Sequence, residues 1–306
     1  MNNIYKDFLI GNTPLVRLKQ IEERYSLKAK LYAKLEWYNL TGSIKDRPSL
    51  QILLDAKKNG LTSGSKVIEA TSGNMGISLS AICQKLGYKA VIVMPENMSD
   101  ERKAIIKAYG AELVLTQKEL GMKGAVDKAE EIFKSEKEAF MPMQFSNPSN
   151  PLSHYLTTAP EIYEELDGDV SAFVAGVGTG GTLSGIAKYL KEKNNAIKIY
   201  GVEPQNSPML SKGVCAPHKI QGIGANFVPE NYQKSFVDEI ILVSDEDAFE
   251  YSRQLSKLEC MLVGISSGAN IFGAISVCQK EEFKGKNVVT VLPDNGIKYL
   301  STGLYK

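Results

Sequence analysis

Short apolar runs alternate with longer amphipathic segments through most of this 306-residue chain, and that alternation narrows the folds that it can adopt. The apolar runs predict strands at 31–36, 66–70, 90–95, 112–116, 171–178, 198–204, 239–244 and 287–293. The amphipathic segments predict helices at 45–58, 75–86, 99–109, 121–134, 151–166, 182–193, 245–258 and 268–279. Strands that alternate with helices favour mostly parallel sheets with helices on both faces. The sequence therefore predicts an α/β fold.

The alternation occurs in two blocks, which predict two α/β units. Between them lies MPMQFSNPSNP at 141–151, and its Pro, Asn and Ser residues are typical of a connecting segment. Residues 205–238 show no clear period, so we expect loops there, close to the functional site. We therefore expect the boundary between the two units near 140–150.

The charge balance and the cysteine pattern argue against several classes of function. The chain has 36 basic and 35 acidic residues and a net charge of +1, which gives no indication of a nucleic-acid or membrane partner. Its four cysteines form no CxxC pair and it has two histidines, so we expect no metal site. The start, MNNIYKDFLIG, lacks the features of a signal peptide, and no apolar run reaches the roughly 20 residues that span a bilayer. We therefore expect a cytoplasmic protein with free thiols.

Lys45, in the stretch GSIKDR at 42–47, occupies an unfavourable place for a cation. Ser43 is a plausible N-cap for the helix that follows, and Asp46 has the spacing of a capping box. Lys45 would then lie in the first helical turn, where a cation costs about a few tenths of a kcal/mol because this helix end is partly positive. Lys45 is therefore either a tolerated surface residue or a residue with a function that outweighs this cost.

Four loops of small and hydroxylated residues follow predicted strands or begin predicted helices. They are EATSGNMG at 69–76, GVGTGGT at 176–182, GISSGA at 264–269 and LPDNG at 292–296. Backbone N–H groups at a helix start bind anions, and glycine lets the backbone approach a phosphate closely. The second loop favours an anion cradle, whereas an ordinary turn would explain each of the other loops taken alone. In sheets of this class, ligands bind beyond the C-terminal ends of the strands.

Two kinds of cofactor fit these loops. The second loop satisfies G-x-G-x-x-G through Gly176, Gly178 and Gly181, and Glu203 lies about 20 residues from the fingerprint, where a dinucleotide fold places its ribose-binding acid. An NAD-dependent oxidoreductase is therefore one hypothesis. Alternatively, a phosphorylated cofactor and one lysine would supply the reactive group that Ser, Thr and Asn lack. A Schiff base between Lys45 and pyridoxal phosphate would remove the simple ammonium charge and explain the position of this lysine.

Ordered motifs along nearly the whole chain carry a family resemblance. They are IGNTPLVRL, GSIKDR, EATSGNMG, MQFSNPSNP, GVGTGGT, GVEP, PHKIQGIGANF, GISSGA, LPDNG and KYLSTGLY. Together they resemble the cysteine synthase and cystathionine β-synthase family of pyridoxal-phosphate enzymes. The resemblance implies the fold of the tryptophan synthase β subunit (fold type II), with two three-layer domains. It assigns 1–36 plus 146–306 to a larger cofactor-binding domain, and 37–145 to a smaller domain with the Schiff-base lysine and the carboxylate loop.

The resemblance also implies a role for each residue that matches a family motif. Lys45 would be the Schiff-base lysine and later the base that removes the α-proton. The cofactor-binding residues would be Lys45, Asn74 at the ring hydroxyl, Ser266 at the pyridine nitrogen, and Gly178, Thr179, Gly180, Gly181 and Thr182 at the phosphate. The substrate-binding residues would be Thr71, Ser72, Gly73, Met75, Gln144, Gly222, Ile223 and Gly224.

The implied reaction is β-replacement at Cβ of a serine- or cysteine-type amino acid through an aminoacrylate. Its main form is cysteine synthase, which makes L-cysteine from O-acetyl-L-serine and sulfide. The implied partners are therefore a small amino-acid substrate and a sulfur nucleophile. The family is usually homodimeric, and some members bind a serine acetyltransferase, which no feature of this sequence decides. We expect neither a C-terminal regulatory domain nor an N-terminal haem-binding extension.

Two departures from the family pattern leave the substrate pair open. The carboxylate loop usually reads TSGNTG, but here it reads TSGNMG, with Met75, as in plant β-cyanoalanine synthases. Asn226 replaces a glycine that is frequent at the substrate mouth. A second hypothesis is thus an enzyme that consumes L-cysteine and releases hydrogen sulfide while forming lanthionine, serine, cystathionine or cyanoalanine; equally, Met75 could be a simple packing change. A partner-binding relative without activity is disfavoured, because the lysine and all four loops are present.

Overall fold

The computed structural model describes residues 3–306 of the chain. Its strands are β1 (Leu15–Arg17), β2 (Lys30–Leu35), β3 (Lys66–Ala70), β4 (Lys89–Pro95), β5 (Glu112–Thr116), β6 (Ala139–Phe140), β7 (Ala172–Gly176), β8 (Lys198–Pro204), β9 (Glu239–Val243) and β10 (Asn287–Leu292). Its α-helices are α1 (Asn3–Asp7), α2 (Lys19–Arg24), α3 (Asp46–Lys58), α4 (Asn74–Leu86), α5 (Asp100–Ala108), α6 (Gly121–Ser135), α7 (Ser149–Ser153), α8 (Ala159–Glu165), α9 (Gly181–Lys193), α10 (Met209–Lys212), α11 (Asp245–Leu258) and α12 (Ile265–Cys278).

The strands form two sheets. The larger sheet has six strands in the order β1-β2-β10-β7-β8-β9, and the smaller has four in the order β5-β4-β3-β6. Only β1 runs antiparallel, against β2, and the other pairs are parallel. The central strand β10, NVVTVL, is buried along its whole length, as expected of a strand covered on both faces. This topology confirms the predicted α/β fold with mostly parallel sheets.

Apolar cores lie on both faces of each sheet, so each sheet is the middle of three layers. The larger sheet packs against α2, α11 and α12 on one face and against α8 and α9 on the other. The smaller sheet packs against α3, α4 and α5 on one face and against α6 on the other. The division of the chain at 36/37 and 145/146 into two domains stays a prediction.

The predicted strands and helices are all present, with small differences at their ends, but one helix is interrupted. The segment predicted as a helix at 151–166 consists of α7, a π-helical turn at His154–Thr158, and α8. The sequence analysis missed α1, α2, α10, β1 and β6, because elements of two to six residues are too short to establish a period. No helix within residues 3–306 is long and apolar enough to cross a membrane.

The predicted N-cap at Ser43 is wrong. Helix α3 begins at Asp46, so Lys45 lies immediately before the helix instead of in its first turn. The Asp46 carboxylate accepts hydrogen bonds from Thr41 N at 2.7 Å, Thr41 Oγ1 at 2.6 Å and Ser78 Oγ at 2.6 Å. Because Asp46 is used to hold the preceding loop and α4, it does not form a capping box with Ser43.

Candidate active site

The loop with Lys45 meets three of the other loops that the sequence singled out. Ile44 N donates to Pro293 O at 2.8 Å, and Ser43 forms a β-bridge with Asp294. Asp294 O in turn accepts from Gly264 N at 3.1 Å, at the start of α12. The Asn74 side chain reaches the same point, where its Nδ2 donates to Asp294 Oδ2 at 2.7 Å. Loops 42–47, 69–76, 264–269 and 292–296 therefore converge at one place.

Lys45 is half-buried at this junction. Burial lowers the pKa of its ammonium group to about 8, although the nearby Asp294 carboxylate opposes this shift. A lysine with a lowered pKa carries more neutral amine near neutral pH than an exposed lysine does, and neutral amine is the form that acts as a nucleophile or a base. The local environment therefore suits a reactive lysine.

The glycine-rich loop at 176–182 lies against the predicted substrate mouth. A Cβ atom at Gly178 would collide with the Gly222 carbonyl oxygen, and one at Gly222 would lie 3.5 Å from Ser266 Oγ. Ile223 packs nearby and is buried, while Gly224 N donates to Val177 O at 2.9 Å. The predicted cradle, the predicted mouth and Ser266 are therefore neighbours.

The cradle itself has the form of an anion site. Helix α9 begins at Gly181, after Gly180 with a left-handed φ of +82°. A Cβ atom at Gly180 would lie 2.7 Å from Tyr232 N, and one at Gly181 would collide with the Asn150 side chain. Asn150 Nδ2 donates to Thr179 Oγ1 at 2.9 Å. Glycine is therefore required at 180 and 181, at the positive end of a 13-residue helix, which is a position that suits a phosphate.

His154 contacts the end of the glycine-rich loop through Thr182. Its Nε2 lies 3.2 Å from Thr182 Oγ1, and its Nδ1 lies 2.8 Å from Thr158 Oγ1. Burial, assisted by the Arg47 and Lys45 charges, holds the pKa of this histidine well below its usual value. His154 is therefore a neutral hydrogen-bonding residue, which the sequence gave no reason to include.

Gln144 is buried, and hydrogen bonds to its backbone hold it in place. Its carbonyl oxygen accepts from Asn150 Nδ2 at 2.7 Å and from Asn231 Nδ2 at 2.9 Å. Met143, which precedes it, has a left-handed φ of +51°, and its N–H donates to Glu69 Oε2 at 3.1 Å. Burial raises the pKa of the Glu69 carboxyl to about 7, and hydrogen bonds from Met143 and Gln144 oppose that rise. Glu69 therefore connects strand β3 with the turn that carries Gln144.

We expect Glu69→Gln to change how stability depends on pH. The Glu69 carboxyl has a pKa of about 7 in the folded chain and a reference value of 4.5, so the folded state binds more protons between these values. The free energy of unfolding of the wild type should therefore fall as the pH rises through this window, by up to about 3 kcal/mol from this group. Glutamine has no charge to bury, so urea denaturation of Glu69→Gln should lack that loss.

Glu112→Gln provides a matched control, because Glu112 is an exposed glutamate on strand β5 of the same sheet. Its pH dependence should equal that of the wild type. Equal pH dependence of stability in Glu69→Gln and Glu112→Gln would contradict the assignment of a buried, costly carboxylate to Glu69.

The Met75 side chain points into the apolar core of the smaller sheet. It is 1% exposed, and its sulfur accepts a hydrogen bond from Ser49 Oγ at 3.2 Å. A contribution of Met75 to substrate binding would therefore come from its backbone.

The residues of the loop before Met75 differ in exposure. Thr71 is buried, with Oγ1 3.4 Å from Gly73 N, whereas Ser72 and Gly73 are half-buried. The carboxylate loop is thus partly accessible immediately before helix α4.

Glu203, the ribose-binding acid of the dinucleotide hypothesis, binds backbone N–H groups of this chain. Its carboxylate accepts from Leu210 N at 2.8 Å and from Ser211 N at 3.0 Å. Both oxygens are therefore used to cap the short helix α10, and the side chain is 1% exposed.

Asp294, Lys298 and Tyr299 form a buried polar group beside Lys45 that the sequence analysis missed. Tyr299 donates to Asp294 Oδ2 at 2.8 Å, and Lys298 Nζ donates to Asn74 Oδ1 at 2.9 Å. Taken alone, LPDNG predicts only a turn, but an acid directly after the buried strand β10 is a usable signal, because ligand sites lie at such strand ends. Among residues 3–306, no cluster of three or more His, Cys, Asp and Glu side chains could hold a metal ion.

The sequence model of the family described as pyridoxal-phosphate dependent enzyme matches residues 6–294. The chain belongs to that family. It is 50% identical to the cysteine synthase of Staphylococcus aureus (strain N315) over 97% of this chain and 95% of the relative. It is 49% identical to cysteine synthase B of Campylobacter jejuni over 97% of both chains.

Solved structures show the same relationship. A cysteine synthase from Entamoeba histolytica has a TM-score of 0.95 and 43% identity, over 100% of this chain and 90% of the other. A hydrogen sulfide-producing enzyme from Fusobacterium nucleatum has a TM-score of 0.91 and 46% identity, over 98% of this chain and 100% of the other. The resemblance to the cysteine synthase family, fold type II and pyridoxal phosphate as the cofactor are therefore confirmed, and the NAD-dependent oxidoreductase hypothesis is wrong. The individual roles of the site residues stay predictions.

Proposed function

We propose that this enzyme is a cysteine synthase, which forms L-cysteine by replacing the acetate group of O-acetyl-L-serine with sulfide. The observation that carries the proposal is the half-buried Lys45 amine at the junction of the four loops, with its pKa lowered to about 8. Cysteine synthases that are 49% and 50% identical over 97% of the chain support the same reaction.

The residues present fit the cofactor. Bound pyridoxal phosphate supplies an aldehyde and an electron-withdrawing ring, which weaken the bonds at Cα of an amino acid. We infer that the N–H groups of loop 178–182 hold its phosphate, because the cradle has no space for Cβ atoms and lies at the start of α9. Asn74 would bind the ring hydroxyl, and Ser266 would bring a neutral hydroxyl to the ring nitrogen.

The remaining residues would bind and orient the substrate. Helix α4 begins directly after Thr71, Ser72 and Gly73, so its positive end and free N–H groups favour a carboxylate at this loop. Gln144 would bind the same carboxylate from its fixed turn. Lys45 Nζ would accept the α-proton, and burial of this amine keeps a fraction of it neutral near neutral pH.

A second candidate function is the consumption of L-cysteine with release of hydrogen sulfide. The hydrogen sulfide-producing relative, at 46% identity, favours it. The sequence argument from Met75 weakens, because its side chain lies in the core and away from solvent. Asn226, which is exposed in loop 205–238, remains the residue that could favour a different nucleophile.

The experiment that separates the two functions compares the donors in one preparation. We expect kcat/KM for O-acetyl-L-serine with sulfide to exceed that for L-cysteine by at least about tenfold. Cysteine formation and sulfide release are the two readouts. Met75→Thr should leave the ratio of the two kcat/KM values within about threefold, because the change is confined to the core. Faster repeated release of sulfide from L-cysteine alone would reject the cysteine synthase assignment in favour of the second function.

We also propose that the enzyme is a homodimer and is cytoplasmic. Leu152 in α7 and Leu156 in the π-helical turn that follows it are large apolar residues that are 39% and 47% exposed, which supports an interface at this surface. Light scattering of the purified protein would test the dimer.

The proposed location rests on the cysteines. The free thiols are Cys83, Cys215, Cys260 and Cys278, in keeping with a reducing compartment, and cell fractionation would test the location.

A further inference from the structure

The two ends of the Asn74 side-chain amide contact opposite charges. Nδ2 donates to Asp294 Oδ2 at 2.7 Å, and Oδ1 accepts from Lys298 Nζ at 2.9 Å. Asp294 is 1% exposed and Lys298 is 7% exposed, so water competes little with either contact. Hydrogen bonds to ionised groups are stronger than those between neutral groups.

The charges of these partners allow only one orientation of the amide. A carboxylate can only accept hydrogen bonds and an ammonium group can only donate them. If the amide were rotated by half a turn, its carbonyl oxygen would face the Asp294 carboxylate and its NH₂ group would face the Lys298 ammonium. Both contacts would then be lost, and two repulsive contacts would form in a buried place. Asn74 is therefore locked with its NH₂ end toward Asp294.

The lock is itself rigidly supported. The backbone of Asp294 is tied to Gly264, whose N–H donates to Asp294 O at 3.1 Å, and to Ser43 through a β-bridge. A Cβ atom at residue 264 would collide with Asp294 Oδ1, so glycine is required there for the carboxylate to lie in this position. Lys298 Nζ also donates to Thr41 O at 3.4 Å.

We propose that Asp294 and Lys298 are positioning residues, which fix the amide of Asn74 so that its second N–H is presented to the cofactor. This inference rests on the proposed function, in which Asn74 binds the ring hydroxyl. Oδ1 and one N–H of Asn74 are engaged within the protein, so the other N–H is the donor that remains. A fixed donor favours an anionic ring oxygen over a protonated one.

The test compares holoenzyme variants by the visible absorbance of the bound cofactor, which does not require turnover. In Asp294→Asn, and separately in Lys298→Met, the amide loses one of the two charges that orient it. In Lys298→Met we expect the pH midpoint of the visible band to rise by about one unit, because the ring oxygen loses part of its donor. In both variants we expect the cofactor dissociation constant to rise about tenfold or more. The Asp294 carboxylate also favours a positive charge on the Lys45 nitrogen, and its removal lowers the midpoint, so the dissociation constant is the deciding readout in Asp294→Asn. Lys298→Arg keeps a cation at this position and should retain the wild-type midpoint.

Tyr299→Phe is the matched control, because it removes a hydrogen bond from the same Asp294 oxygen but leaves both contacts to Asn74. It should lower thermal stability while leaving the pH midpoint within about a few tenths of a unit. If Asp294→Asn does not fold, the pair Lys298→Met and Lys298→Arg decides the question. A wild-type dissociation constant in folded Asp294→Asn, or a wild-type midpoint and dissociation constant in Lys298→Met, would overturn the proposal, as would equal changes in Tyr299→Phe.

The outcome is separable from the proposed function. If the wild type binds the cofactor but does not form cysteine, the cysteine synthase assignment fails. The spectra of the variants would still test the positioning role of Asp294 and Lys298. If the wild type forms cysteine and the variants keep the wild-type spectrum, only the positioning role fails.

Discussion

Lys45→Ala is expected to lower the turnover of O-acetyl-L-serine by at least about a thousandfold, because a general base alone contributes about a hundredfold to ten-thousandfold and this lysine is also the proposed anchor of the cofactor. Lys45 is the residue immediately before α3, with a pKa lowered to about 8, at the point where four loops converge. Alanine offers no amine at this point, so both covalent attachment of the cofactor and removal of the α-proton should be lost.

Two measurements check this expectation. The first is the rate of cysteine formation, and the second is the mass of the chain after borohydride reduction, which fixes a cofactor held by a lysine. Lys58→Ala is the matched control, because Lys58 ends the same helix and its side chain is 75% exposed. It should leave both measurements unchanged. A labelled chain with a wild-type rate in Lys45→Ala would show that another lysine carries the chemistry.

Arg47→Ala is expected to lower the free energy of unfolding by about 3–5 kcal/mol, because it leaves buried carboxylates without their partner. The Arg47 guanidinium is fully buried and contacts both Glu36 and Glu161 through two hydrogen bonds each, at 2.7 and 2.8 Å. These partners keep the pKa of Arg47 raised although burial opposes this, and they keep the pKa values of both glutamates lowered. The network joins the end of β2, the start of α3 and helix α8.

Lys34 extends the same network, since its Nζ lies 3.2 Å from Glu161 Oε2 and also contacts Glu165. A single ammonium group cannot replace the planar guanidinium of Arg47, which binds two carboxylates at once. Compared with Arg47→Ala, Arg47→Lys should therefore recover only part of the lost stability. Because the pKa values of Glu36 and Glu161 are lowered, their contribution is present above the unfolded carboxyl pKa and is lost as the pH falls through the folded values.

Urea denaturation near neutral pH measures the effect of Arg47→Ala. Arg17→Ala is the control, because Arg17 makes a similar ion pair with Glu22 at 2.7 Å but is 37% exposed. That surface pair should contribute no more than about 1 kcal/mol. Similar losses in Arg17→Ala and Arg47→Ala would mean that the buried network is not the stabilising connection between these elements.

The layer architecture and the family were predictable from local patterns of residues. Strands such as β3, β5 and β8 begin and end where their apolar runs predict, because a buried parallel strand needs only local apolar character. Loop 176–182 is likewise predicted to be an anion cradle, because a glycine-rich turn at a helix start favours anions without any distant partner. The ordered motifs then led to the pyridoxal-phosphate dependent enzymes.

Which polar groups contact each other is seen only in the packed fold. Asn74 contacts Asp294 and Lys298 across 220 and 224 residues of chain, and Arg47 contacts Glu161 across 114. Such pairs leave no local period, because the partners belong to different loops and helices until the layers pack. The same reason explains why Met75 points into the core, where its sulfur contacts Ser49 of α3, and why Asp46 contacts Ser78 of α4 and does not form a capping box with Ser43.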